Sequence, residues 1–177
     1  MYTQKLMRLF IAINFSSKTL SMLLTLRDDL QAKSKRGHFS EPANLHLTLA
    51  FLGDCDVKQT AALKAIMNDL SFQPFNIELD HMGRFKRSGG DIWWVGVREN
   101  KPLMALQSSL TDKLTETGFA PDTRRYNPHI TLGREVVTDE KERKLTPFGD
   151  TVKAIDLMLS ERIRGRLTYS VIYTKVR

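Results

Sequence analysis

The chain has 177 residues, 41% of them hydrophobic and 27% charged, with a formal net charge of +7, the composition of a soluble globular protein of one domain or two small lobes. No apolar run approaches the ~20 residues that span a bilayer, and Met1 to Leu6 lack the apolar core of a secretory signal, so no membrane partner and a cytoplasmic location are expected. The lone Cys55 excludes an internal disulfide and a cysteine-built zinc cluster, and is expected as a reduced, partly buried thiol in a turn. The positive charge favours a polyanionic partner, and it gathers at Lys33, Lys35 and Arg36, at Arg84, Lys86 and Arg87, and at Arg162, Arg164 and Arg166.

In chain order, the apolar run Leu9 to Phe15 predicts a buried strand. Ser16 and Ser17 offer a cap to a helix in which Leu20, Leu23, Leu24 and Leu30 form one stripe. A polar loop from Lys33 to Ser40 follows, with a turn at Gly37 and closure at Pro42 and Asn44. A strand around His46 to Leu49 ends at Gly53-Asp54. Asp56 then caps a helix to about Leu70, with Val57, Leu63, Ile66 and Leu70 facing inward. Phe75 to Leu79 alternates as a half-buried strand, and Ser88-Gly89-Gly90 marks a turn. Ile92 to Val97 is a buried strand, Pro102 opens a helix with Leu103, Leu106, Leu110 and Leu114 on one face, and Gly118 ends it. A loop with Pro121, Arg124 and Arg125 leads to the strand from His129. After a charged linker from Thr138 to Lys144, Ile155 to Leu159 and Leu167 to Tyr173 read as two more strands.

Two stretches carry chemistry: His46-Leu47-Thr48-Leu49 and His129-Ile130-Thr131-Leu132. Side chains alternate along a strand, so His46 and Thr48 share one face, as do His129 and Thr131, while the leucines and Ile130 face a core. The motifs lie 83 residues apart, and the same offset sets Leu20, Leu23, Lys18 and Asp29 on Leu103, Leu106, Lys101 and Asp112. Shared order of strand, helix, loop and His-x-Thr strand implies a duplication with halves of about 8–53 and 91–136. The expected fold is α+β: bilobal, pseudo-two-fold, with antiparallel sheets lining a central cleft and helices outside. Because the duplication supplies a two-fold within one chain, a monomer is expected.

Paired histidines on such strands suit acid/base catalysis. One neutral imidazole takes a proton from water while the other, as imidazolium, protonates the departing oxygen of a phosphodiester. Thr48 and Thr131 would donate hydrogen bonds to the phosphate oxygens. Neither histidine has the close-spaced partner ligands of a zinc site, and no Gly-rich nucleotide loop ends in Lys-Ser or Lys-Thr, so no metal and no cofactor are expected. Strict alternation puts Arg134 on the face opposite His129, but a bulge at Gly133 would turn it back to hold phosphate. Phe51 occupies the position equivalent to Arg134, where it either contacts a base or packs in the core.

These motifs resemble the 2H phosphoesterase superfamily, and more closely the bacterial and archaeal RNA 2′,3′-cyclic phosphodiesterases, also called 2′-5′ RNA ligases. The matching text is Arg8 to Ile13, Asn44 to Gly53, Pro128 to Arg134 and Arg164 to Tyr169. The resemblance implies hydrolysis of RNA 2′,3′-cyclic phosphate ends to 2′-phosphates, and ATP-independent 2′-5′ ligation of RNA ends such as tRNA halves. It implies that His46 and His129 are catalytic, with His129 the base and His46 the acid, and that Arg134 binds phosphate. Where relatives carry a bulky residue before that arginine, this chain has Gly133. A phosphodiesterase for 2′-5′ oligoadenylates or ADP-ribose cyclic phosphate is a second reading, and a non-catalytic RNA-binding module a third.

Overall fold

A computed structural model describes residues 6–177. Nine strands and three α-helices lie among the described residues. They are β1 (Met7–Ile13), α1 (Ser17–Ala32), β2 (Ser34–Phe39), β3 (Leu47–Cys55), α2 (Val57–Asp69), β4 (Phe75–Phe85), β5 (Asp91–Val97), α3 (Lys101–Glu116), β6 (His129–Thr138), β7 (Arg143–Val152), β8 (Ala154–Ile163) and β9 (Arg166–Val176). A 3-10 turn over Pro42–Asn44 precedes β3. The strands form two antiparallel sheets, one ordered β3-β1-β8-β9 and the other β2-β6-β5-β4-β7. The fold is the α+β architecture expected, and each sheet carries one of the two histidine motifs.

The helix boundaries have local causes. Ser16 caps α1 by accepting from the Thr19 amide, and Asp150 of β7 fixes that cap by accepting from Ser16 N and Oγ, both at 2.7 Å, and from Thr19 Oγ1 at 2.9 Å. Asp56 and Gln59 form a reciprocal capping box at α2, which satisfies two otherwise unpaired amides. Asn100 caps α3, Pro102 occupies its first turn, and Leu103, Leu106, Leu110 and Leu114 are its buried stripe. Gly118, at φ +89°, ends it in the left-handed region that glycine tolerates. One continuous core draws Leu23 and Leu30, Leu63 and Met67, and the α3 leucines against both sheets, with Trp93 and Ile130 fully enclosed. None of the described helices is long and apolar enough to cross a membrane.

Several expectations are corrected. The polar segment 34–39 is a strand, β2, paired to β6, and the charged linker after Thr138 runs into another, β7, paired to β4. β4 itself continues to Phe85. Val57 faces solvent at 64% exposure, because the first residue of α2 sits at the end of the helix, ahead of its apolar stripe. Cys55, expected partly buried in a turn, instead ends β3 and is fully buried, and burial raises its pKa.

Candidate active site

The face assignment made from the motifs holds residue by residue. Leu47, Leu49, Ile130 and Leu132 are all at most 2% exposed, while His46, Thr48, His129 and Thr131 are half-buried on the opposite, open side. His46 lies one residue ahead of β3 and His129 opens β6. The two ring environments are alike. His46 Nδ1 lies 2.7 Å from the Asn44 carbonyl and His129 Nδ1 lies 2.6 Å from the Asn127 carbonyl. A carbonyl only accepts, so each Nδ1 carries the proton and each Nε2 is the nitrogen that can take up or give one. His46 Nε2 lies 2.8 Å from Thr48 Oγ1, whereas His129 Nε2 and Thr131 Oγ1 have no partner among the described residues.

Asn44 and Asn127 fall 83 residues apart, as the histidines do. Their backbone role was missed, although the identity at the repeat offset was a readable signal. Asn44 also donates from Nδ2 to the Leu167 carbonyl at 2.9 Å, fixing the turn before His46 to β9.

Arg134 reaches the histidine side by the bulge anticipated at Gly133. Against β5, Thr131 faces Trp94 and Gly133 faces Trp93, so β6 gains one residue on its partner at that step. The extra residue reverses the alternation, and Arg134 lies near enough to His129 for its positive charge to disfavour the imidazolium. β3 shows the same irregularity, with Thr48 facing Ala12 and Ala50 facing Ile11. That bulge brings out Phe51, which is half exposed, stacks on Phe10 at 5.8 Å and carries the Arg8 guanidinium 5.7 Å from its ring centroid. Core burial of Phe51 is thereby excluded.

Aromatic rings frame both imidazoles. Phe10 and Tyr169 pack on His46 at 4.8 and 5.3 Å, and Phe85 and Trp94 pack on His129 at 5.1 and 6.0 Å. This apolar surround disfavours the charged ring. Burial lowers the pKa of His46, with a smaller lowering from His129, and burial then Arg134 lower that of His129. Burial raises the Tyr169 pKa, opposed by Arg134 and Arg8. Of these framing residues, Tyr169 and Arg8 were visible only as parts of longer motifs, while Phe85 and Trp94 lie on strands with no motif to mark them.

A cavity of about 460 Å³ opens between the two motifs, lined among others by Thr48, Phe51, Phe85, Gln107, Tyr126 and His129. Tyr126 braces its floor, donating from Oη to the Thr48 carbonyl at 2.8 Å, and burial raises its pKa strongly. The basic knots differ in how much charge they leave free. Lys33 pairs with Asp29 and Glu140, Lys35 with Asp139 and Arg84 with Asp91. The guanidiniums of Arg87, Arg162, Arg164 and Arg166 have no carboxylate partner among the described residues. Those residues also hold no cluster of three or more His, Cys, Asp or Glu arranged for a metal ion.

A family model described as the 2′-5′ RNA ligase superfamily matches residues 24–162. The chain belongs to the 2′-5′ RNA ligase superfamily. Within it, the chain is similar to the RNA 2′,3′-cyclic phosphodiesterase of Methanocaldococcus jannaschii, 35% identical over 77% of this chain and 76% of that one. The enzyme of the same name from Archaeoglobus fulgidus is 33% identical, covering 72% of each chain. Among solved structures, LigT of Escherichia coli complexed with 3′-AMP superposes with a TM-score of 0.87 at 26% identity, covering 97% of this chain and 98% of that one. This superfamily member therefore shares the 2H phosphoesterase fold over essentially its full described length.

Proposed function

We propose that the protein hydrolyses RNA 2′,3′-cyclic phosphate ends to 2′-phosphates, using His46 and His129 as a proton-transfer pair. The observation that carries this reading is the matched Nδ1–carbonyl anchoring of both histidines, which leaves His129 Nε2 unpartnered among the described residues and His46 Nε2 bonded only to Thr48 Oγ1. The named activity of relatives at 33–35% identity supports the substrate.

In this mechanism His129 Nε2, held neutral by burial and by Arg134, removes a proton from water as it attacks phosphorus. The P–O3′ bond breaks, and His46 Nε2–H gives its proton to O3′, leaving a 2′-phosphate and a free 3′-hydroxyl. General acid/base action of this kind contributes about 10²–10⁴-fold per group. Thr48, Thr131 and Arg134 bind the non-bridging oxygens, where charge grows in the transition state, and Phe51 contacts the base. Two imidazoles, two hydroxyls and a guanidinium supply every proton and counter-charge the displacement needs, so the reaction proceeds without metal and without ATP. Replacing water by an RNA 5′-hydroxyl gives 2′-5′ ligation by the same steps, with tRNA halves as one such pair of ends.

The same reading takes 1–177 as a single domain of two lobes, acting as a monomer, with repeat halves of about 8–53 and 91–136. The matched bulges after Thr48 and Thr131 and the matched Asn44 and Asn127 support it.

The test is an oligoribonucleotide ending in 2′,3′-cyclic phosphate, incubated in excess EDTA with the wild type, His46→Ala and His129→Ala. Conversion to the 2′-phosphate by the wild type alone is expected. A 3′-phosphate product, or equal turnover by either variant, would overturn the assignment.

A further inference from the structure

The cavity between the motifs, which His129 lines and His46 does not, is much larger than an attacking water requires. At about 460 Å³ it falls in the range of small-molecule sites. Its position has a chemical meaning if, as proposed above, His129 is the base and His46 the acid. In-line displacement sends the nucleophile in opposite the departing O3′, hence past His129.

The walls there are built for more than water. Phe85 stands edge-on to His129 at 5.1 Å, with a ring plane at 89°. The Arg87 guanidinium lies 6.0 Å from the Phe85 centroid. Arg124 and Arg125 line the same space. Arg124 is held by Asp122, whose carboxyl it draws down to a pKa of about 2, so their charges cancel locally. The Arg87 and Arg125 guanidiniums have no carboxylate partner among the described residues, and they leave the cavity net positive. An aromatic face beside two uncompensated guanidiniums is the combination that holds a nucleobase and an adjoining phosphodiester.

The geometry points to this cavity as the acceptor site for the 5′-hydroxyl end of a second RNA, with its first base at Phe85 and its first phosphodiester at Arg87 and Arg125. The proposal rests on the cyclic-phosphodiesterase reading and deepens it. The acceptor's O5′ gives its proton to His129 Nε2, the O5′–P bond forms, P–O3′ breaks, and O3′ takes the proton of His46. A 2′-5′ phosphodiester and a free 3′-hydroxyl result, with no further reactant. Phe51, which borders the opposite wall of this cavity, and Arg8 over its ring are left for the donor nucleoside.

Hydrolysis and transfer are measured together on a cyclic-phosphate-ended oligoribonucleotide, titrated with a 5′-hydroxyl oligoribonucleotide. Transfer by the wild type should saturate with acceptor. Arg87→Ala and Arg125→Ala should each raise the half-saturating acceptor concentration by about ten-fold, the loss of one charge-assisted contact. That rise should exceed any rise in KM for adenosine 2′,3′-cyclic phosphate by about five-fold or more. If both values rise together, the cavity holds the donor nucleoside and the acceptor assignment is wrong. Hydrolysis without transfer at any acceptor concentration would also overturn it, leaving the phosphodiesterase reading intact. No hydrolysis by the wild type would overturn both.

Discussion

Gly83→Ala tests whether the framing of His129 is a mechanical fact. Gly83 and Trp94 face one another across β4 and β5, and the six-membered ring of the indole lies against the glycine. A methyl built there would sit 2.4, 2.6 and 2.9 Å from three carbons of that ring. Carbon atoms rest at about 3.5–4.0 Å, so the ring must retreat by about 1 Å. It has little room, because Trp94 is only 9% exposed and is packed against Phe85 at 5.2 Å and His129 at 6.0 Å. Overpacking of this kind costs about 1–3 kcal/mol. In a chain of this size that lowers Tm by about 2–12 °C. The displacement passes to the imidazole, and about 1 Å of misplacement costs about 10²-fold in rate. Thermal unfolding and turnover of a cyclic-phosphate RNA end read the two effects separately. Gly89→Ala is the control, since a methyl there meets nothing within 4 Å, and it should stay within about 0.5 kcal/mol of wild type. A Gly83→Ala protein with wild-type melting and wild-type turnover would refute the packing argument. Lost stability with intact kcat would refute the claim that Trp94 holds His129 in place.

Thr48→Val keeps the shape of the side chain but removes the hydroxyl bonded to His46 Nε2; kcat on a cyclic-phosphate end should fall by about 10²–10³-fold. Asn44→Ala removes the bond to the Leu167 carbonyl and should cost about 0.5–1.5 kcal/mol in urea unfolding, with kcat falling more than KM rises because the carbonyl that anchors His46 loses its tether. Both histidine pKa values are lowered by burial, so unfolded chains bind more protons than folded ones between the folded values and about 6.5, and stability should fall as pH drops through that window. A His46→Gln, His129→Gln double variant should lose less stability than wild type between about pH 7 and 5, and an equal loss would refute the burial argument.

How much of this was legible depended on which side of a strand faced the core. The His-x-Thr stretches alternate cleanly because one face of each is fully buried, and that pattern gave both the site and the orientation of its side chains. The two missed strands, β2 and β7, are the outer strands of the five-stranded sheet. Edge strands need no apolar face, and they are blunted with charge and proline. Ser34-Lys35-Arg36-Gly37-His38-Phe39 is such a strand, and β7 carries Pro147 where its register against β4 slips. β4 was cut short because its own irregularity between Leu79 and His81 breaks the period of two. Arg134 was reachable from sequence only through Gly133, since parity alone sends it to the wrong face. Phe85 and Trp94 reach His129 from other strands of the folded sheet, and no local spacing records such a meeting.

The path of the chain between the sheets bears on how the protein comes to work. β1 lies in the first sheet, β2 in the second, β3 in the first, β4 through β7 in the second, and β8 and β9 in the first again. A cut after β3 would leave one imidazole on each fragment and the first sheet divided between them. On the paired-histidine reading proposed above, neither fragment acts alone and recovered turnover reports their reassembly. In the intact chain the pairing of β1 with β8 joins residues far apart in sequence, a step slowed by loop closure. Turnover regained during refolding is therefore a clock for the last long-range pairing, not for the formation of either histidine strand.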